Sequence, residues 1–222
     1  MESVAGPGVA PTVALSRGCA HPRPRRTLAG RLTLGLYNCY DAKQWHDIMR
    51  ITLARAGPVA LAFDCHVATF GFPFAQARRR GAKESDGLRT AREVAAFVAE
   101  GTSIGEGGEA FQALVDEGRF RMHPFPAEGR FPPELGRAVA TTPRPDPAKA
   151  VTPLEAAQEL AAGRGQLMVY GLGPRGLPPE VLAAAEHHLE LTGSGISLET
   201  ATALGALPAL LSAHLSHLGD HP

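Results

Sequence analysis

The stretch "VYGLGPRGLPPEV", Val169 to Val181, decides how the rest of the chain is read. Its first residues close the apolar run "QLMVYG" (Gln166–Gly171), which has the length of a buried strand. Its last residues open "LPPEVLAAAEH", a short helix with prolines in the first turn, where a missing N–H costs little. Between them, Gly171-x-Gly173-x-x-Gly176 fits the written form of a dinucleotide-binding turn, and Glu190 lies at about the right distance. Physical grounds weigh against that form. Such a turn opens a domain that still has strands to build, and little more than one strand and one helix follow. Pro178 and Pro179 also remove two N–H groups from the helix end that should hold a pyrophosphate. A nicotinamide-binding protein is therefore the least favoured reading.

A second glycine block follows in "ELTGSGISLETATALG", Glu190 to Gly205. Leu189 and Leu191 alternate with charged neighbours, as in the half-buried last strand expected over "HLELTG". Gly193 and Gly195 permit backbone angles that other residues avoid. Ser197 is expected to cap the next helix, with Glu199 in its first turn. That helix is predicted over Ser197–Leu218, with Leu204, Leu207, Leu211, Leu215 and Leu218 as one apolar stripe. Pro208 inside it should kink the helix, at roughly 3 kcal/mol unless the helix breaks there.

Towards the N-terminus the pattern alternates strand and helix. Leu32, Leu34 and Leu36 form a short strand, and Asp41 precedes a helical pattern through Trp45, Ile48, Met49 and Leu53 that should stop at Gly57-Pro58. "VALAFD" (Val59–Asp64) reads as a buried strand, with "HVATFGF" as a second candidate. Helices are expected over "LRTAREVAAFVAEG" and "GGEAFQALVDEG", and a weak strand over "RFRMHPF". A small strand ending near Thr141-Thr142, a proline-broken loop and a helix from about Pro153 to Ala162 complete the order. Alternating strands and helices imply an α/β fold with a parallel sheet. Residues 1–30, rich in Gly, Pro, Ala and Arg, read as a disordered N-terminal extension, leaving one domain over 31–222.

Bulk composition narrows the field. The 222 residues are 44% hydrophobic, enough for a large core. Lys plus Arg and Asp plus Glu each number 22, so no global field draws the protein to nucleic acid, and any such contact needs a local patch. Cys19, Cys39 and Cys65 form no CxxC pair, which argues against a zinc ribbon and a disulfide framework and suits a reducing cytoplasm. No apolar run reaches the roughly 20 residues of a membrane span.

Taken together, the two glycine blocks resemble the C-terminal signature of the SPOUT (SpoU–TrmD) RNA methyltransferases. Gly173, Pro174, Gly176 and Leu177 match the first block of that pattern; Leu191, Gly193, Gly195, Ile196, Ser197 and Leu198 match the second. The opening "LGLYNCYD" with "GPVALAFD" is similar to an uncharacterised archaeal branch. The resemblance implies a parallel-sheet SPOUT-like α/β fold with a C-terminal trefoil knot over about residues 139–218. It also implies a homodimer, S-adenosylmethionine (SAM) in the glycine loops, and tRNA or rRNA as substrate. The alternative within that fold is a non-catalytic module that binds RNA or protein.

The implied cofactor residues are Thr141, Tyr170, Gly171, Leu172, Gly173, Gly176, Leu191, Thr192, Gly195, Ile196, Ser197 and Leu198. Leu172, Leu191, Ile196 and Leu198 would form an apolar slot for adenine, with backbone groups of Gly171, Gly173, Thr192 and Ile196 at its edge. Several members of the superfamily carry Glu where this chain has Arg175, which weakens any ribose 2′-O mechanism taken from them. Arg175 instead suits a phosphate or carboxylate. Glu199 is a candidate base, or a helix-terminal carboxylate. Asn38 and Asp41, after the first strand, are candidates for the target nucleotide, with Asp41 equally a cap. His46 reads as a surface histidine on the same helix. Arg144 in "TTPRPDP", and Arg78, Arg79 and Arg80 beside Phe70, Phe72 and Phe74, suit RNA phosphates. No metal site is expected, since His187-His188 has no third ligand nearby in sequence.

Overall fold

Leu32–Asn38 forms strand β1, and all seven of its residues are buried. That burial on both faces is the mark of a central strand in a parallel sheet covered by helices on each side. The structure, a computed structural model, describes residues 30–77, 87–101 and 106–220. Arg78, Arg79 and Arg80, Cys19 and the expected N-terminal extension short of Gly30 lie outside the described residues. Gly30 already belongs to the fold, donating its N–H to Leu160 O at 2.9 Å.

The order continues with α1 (Asp47–Ala62), β2 (His66–Phe70), α2 (Ala91–Gly101), α3 (Gly107–Asp116), β3 (Phe120–His123) and β4 (Arg137–Thr141). Then come β5 (Ala150–Val151), α4 (Pro153–Ala161), β6 (Gln166–Leu172), α5 (Pro179–Ala184), β7 (His187–Leu189) and α6 (Thr200–Asp220). The strands make one seven-stranded sheet in the order β3-β2-β1-β6-β4-β7-β5. Every pairing is parallel. The chain builds outward from β1 in one direction through β2 and β3, then returns to build the other side. The strand order therefore reverses beside β1, and open α/β sheets hold ligands outside the carboxyl ends at such a point.

Alternation along the strands divides the interior. Leu32, Leu34 and Leu36 of β1 and Met168, Tyr170 and Leu172 of β6 enter the larger core with residues of α1, α2, α3, α4 and α6. Tyr37, Leu167 and Val169 face a smaller core that includes Leu135 and Val181. Leu204, Leu207 and Leu211 of the terminal stripe are fully buried, while Leu215 and Leu218 pack on the core from its edge.

Three local expectations are corrected. Helix α1 does not stop at Gly57-Pro58; it runs through Pro58 to Ala62, so Val59–Ala62 is its last turn and not a strand. The proline sits on the exposed side and removes one hydrogen bond, while the burial of Ala56, Gly57 and Ala60 holds the helix together. The strand is the second candidate, His66–Phe70. Helix α6 likewise runs through Pro208, but begins at Thr200, so Ser197 is not its cap. The two-residue edge strand β5 has too little periodicity to be read from sequence.

Candidate cofactor-binding site

A cavity of about 650 Å³ opens at the carboxyl ends of β4, β6 and β7. Three chain segments wall it, and a fourth closes it. From β4 come Thr141, Thr142, Pro143 and Arg144; from β6 come Tyr170, Gly171, Leu172, Gly173, Pro174, Arg175, Gly176 and Leu177. The segment after β7 supplies Glu190, Leu191, Ile196, Ser197, Leu198 and Glu199, leading into Thr200, Ala203 and Leu207 of α6. Tyr40 and Ile48, from the β1–α1 connection and α1, form the remaining side.

The two glycine blocks thus meet at one cavity, and their glycines serve different ends. A Cβ on Gly171 would lie 2.8 Å from the backbone of Gly176 and Leu177, so this loop folds back on itself. A Cβ on Gly173 would lie 2.9 Å from Cys39 Cβ. Gly176, at φ +68°, has open space beside it, and its positive angle is what selects glycine.

After β7, the Glu190 carboxylate organises the loop. Its Oε1 accepts from the Thr192 amide at 2.8 Å and the Thr192 hydroxyl at 2.6 Å, and its Oε2 accepts from the Gly193 amide. Thr192 Oγ1 in turn accepts from the Ser194 and Ile196 amides, each at 3.2 Å. Partial burial pushes the Glu190 carboxyl up, but hydrogen bonds from Thr192, Gly193 and Gly195 outweigh it and hold it below the ordinary carboxylate value. The Thr192 and Ile196 amides, expected to face a ligand, are therefore spent inside the loop. Thr192 and Gly195 do not line the cavity, whereas Thr141, Tyr170, Gly171, Leu172, Gly173, Gly176, Leu191, Ile196, Ser197 and Leu198 do. Ile196 is 61% exposed and Leu198 half-buried, so the expected slot is open on that side.

Of the catalytic candidates, Arg175 and Glu199 lie at the cavity. Glu199 Oε2 accepts from the Ala201 and Thr202 amides at 3.1 and 3.3 Å, so its carboxylate caps α6, the role expected of Ser197. Asn38 is 2% exposed and outside the cavity; its amide donates to Gly71 O at 2.9 Å and its Oδ1 accepts from the Tyr40 amide at 2.9 Å. Asp41 is exposed, and its Oδ1 accepts from the Lys43 amide at 2.8 Å, closing a turn ahead of α1. His46 is not an open surface histidine: it precedes α1, packs on Tyr40 with ring centres 4.7 Å apart, and has a buried Nε2. Arg144 and Arg175 are exposed at the rim. Burial pushes the neighbouring Cys39 thiol up to about 11, so it stays protonated at neutral pH.

Sequence reasoning missed Tyr40 and Ile48. The signal was present in Asn38, whose short polar side chain turns the chain at Tyr40. Among the described residues no group of three or more His, Cys, Asp or Glu side chains is placed to hold a metal. None of their helices is long and apolar enough to cross a membrane.

Solved structures share this parallel α/β fold. The chain is similar in structure to a probable methylase family protein from Haemophilus influenzae Rd KW20, with TM-score 0.53, 14% identity, and 87% of this chain and 70% of that one covered. It is also similar to a probable methyltransferase from Bordetella pertussis Tohama I, with TM-score 0.52, 15% identity, and coverage of 84% and 97%. A third such structure, described as giving structural insights into the 2-OH methylation of C/U34 on tRNA, has TM-score 0.52, 21% identity, and coverage of 85% and 99%. In sequence the chain is 35% identical over 189 residues to the uncharacterized protein MJ0224 of Methanocaldococcus jannaschii, covering 85% of this chain and 97% of that one. The chain belongs to the family described as Protein of unknown function (DUF531), whose model matches residues 32–212.

Proposed function

We propose that this protein is a SAM-dependent RNA methyltransferase acting on tRNA or rRNA as a homodimer. One observation carries the reading: the two glycine loops and the end of β4 converge on a single cavity at the carboxyl edge of a parallel sheet, in a fold shared by structures described as a probable methylase and a probable methyltransferase. Its volume, about 650 Å³, is in the range of cofactor sites. Leu172, Leu191, Ile196 and Leu198 would hold the adenine, with the backbone of Gly171 and Gly173 at its edge. SAM would supply an electrophilic methyl group. The protein's part is then to align the acceptor and exclude water. Arg144 and Arg175 at the rim, with Arg78, Arg79 and Arg80, would hold RNA phosphates. Threading of about residues 139–218 into a trefoil knot belongs to the same reading.

A non-catalytic binding module is the second reading, favoured by one observation. Both carboxylates at the cavity, Glu190 and Glu199, already accept backbone amides. To act as a base, Glu199 must release the first turn of α6; Asn38 and Asp41 would have to reach the target nucleotide from outside the cavity. Incubation with methyl-labelled SAM and unmodified bulk RNA tests the reading. Label in the RNA is the expected result; SAM binding without transfer would favour the module.

A further inference from the structure

The segment from Thr142 to Lys149 crosses from β4 to β5 as a strap, carrying Pro143 and Arg144 into the cavity wall. Prolines at 143, 145 and 147 remove three of its eight backbone donors, and the Arg144, Ala148 and Lys149 amides are spent within the segment, on Thr142 Oγ1, Asp146 Oδ1 and Asp146 O. Its backbone ties to the sheet lie in β7. The Thr142 amide donates to Leu189 O at 3.0 Å, and the His188 amide donates to Lys149 O at 2.8 Å. Between them the Asp146 amide donates to Nδ1 of the His188 ring at 2.9 Å.

His188 is 5% exposed, and its other ring nitrogen is engaged as well, with Nε2 lying 2.8 Å from Leu182 O on α5. A carbonyl only accepts and an amide N–H only donates. The two contacts therefore require a neutral imidazole with its proton on Nε2 and a bare Nδ1. Lys149 adds a second tie, donating from Nζ to the carbonyls of Leu182, Ala183 and Ala185, the last at 2.9 Å. Those carbonyls belong to the C-terminal end of α5, where a cation is favoured. Leu182 and Arg144 both line the cavity, so one buried ring joins two of its walls.

We propose that His188, as the Nε2–H tautomer and assisted by Lys149, is a positioning residue that holds the Arg144 strap at the cavity rim for an anionic substrate. The anionic substrate rests on the RNA reading above; the strap's attachment does not.

The test separates the two. Nitrogen-15 NMR of the wild-type protein should show His188 protonated at Nε2 and bare at Nδ1; the opposite tautomer overturns the proposal. In His188→Phe, which keeps the ring but neither ring nitrogen, hydrogen exchange at the Asp146 amide should accelerate about tenfold or more, the scale of one lost hydrogen bond, while β1 and β6 amides are unchanged. His188→Gln, which offers one donor and one acceptor, should restore part of that protection. Unchanged exchange in His188→Phe overturns the proposal. With bulk tRNA as probe, His188→Phe and Arg144→Ala should each weaken binding, and the double variant should be no worse than Arg144→Ala alone. Effects that multiply would mean His188 acts on stability and not through Arg144. A wild-type protein that ignores tRNA sinks the RNA reading, while tautomer and exchange still decide the strap.

Discussion

Glu190 shows how a single carboxylate at the cavity shapes the loop beside it, both of its oxygens being engaged by donors of that loop. Burial alone would raise its pKa, and the donors from Thr192, Gly193 and Gly195 more than reverse that. Its folded value lies below the ordinary 4.5. The stabilisation it lends is therefore complete above the unfolded value and lost as pH falls through the folded one. SAM affinity should decline as the solution is acidified below that range, and Glu190→Gln should bind more weakly at neutral pH with a flatter acid limb, as followed by calorimetry. Gly195 acts through its backbone. It sits at φ +70°, with Pro143 O in ordinary contact at 3.4 Å from where a Cβ would stand. Gly195→Val forces a β-branched side chain into the left-handed region, at about 1–2 kcal/mol, so the loop should rearrange and SAM binding should disappear. The melting temperature should fall by no more than several degrees, about 2–4 °C per kcal/mol, and the oligomeric state should hold. Residues lining the cavity were legible where a motif runs through them consecutively, as from Gly171 to Gly176. They were not legible where a side chain has two plausible uses: Glu199 as base or cap, Thr192 as ligand contact or loop brace. Sequence carries residue types; it does not carry which partner claims each donor.

Helices obeyed their patterns except at their ends. Helix α4 matches its expected span almost to the residue, and its start is fixed by a capping box in which the Thr152 and Glu155 side chains each bond to the other's backbone N–H. Thr152→Ala should cost about 0.5–2 kcal/mol in urea unfolding, the usual loss for such a cap. Helix α1 was cut short because a proline reads as a stop, yet the burial around it outweighs one missing bond. Its Gly57 packs against α3, with a Cβ there lying 2.5 Å from Phe111 N. Gly57→Val should therefore destabilise by roughly 1–3 kcal/mol or more through overpacking against backbone that has nowhere to move. Strand β2 competes in sequence with the preceding stretch of equal apolarity, since short apolar runs do not separate strand from helix by periodicity alone.

At the scale of the whole molecule, alternating elements gave the α/β class and the parallel sheet. The order of strands came from no local pattern, because placing β6 between β1 and β4 depends on contacts far apart in the chain. That placement brings the loops after β4, β6 and β7 to one cavity, and the proposed function depends on it. The proposed homodimer should sediment at twice the 23.3 kDa chain mass; a monomer at every concentration would count against it. The central claim is that this cavity takes an adenosyl cofactor. Isothermal titration calorimetry of the full chain with SAM, its demethylated product and NAD tests it most directly. A one-site SAM isotherm in the micromolar range or tighter, beside a flat NAD trace, is predicted; a flat SAM trace beside a clear NAD isotherm would contradict it.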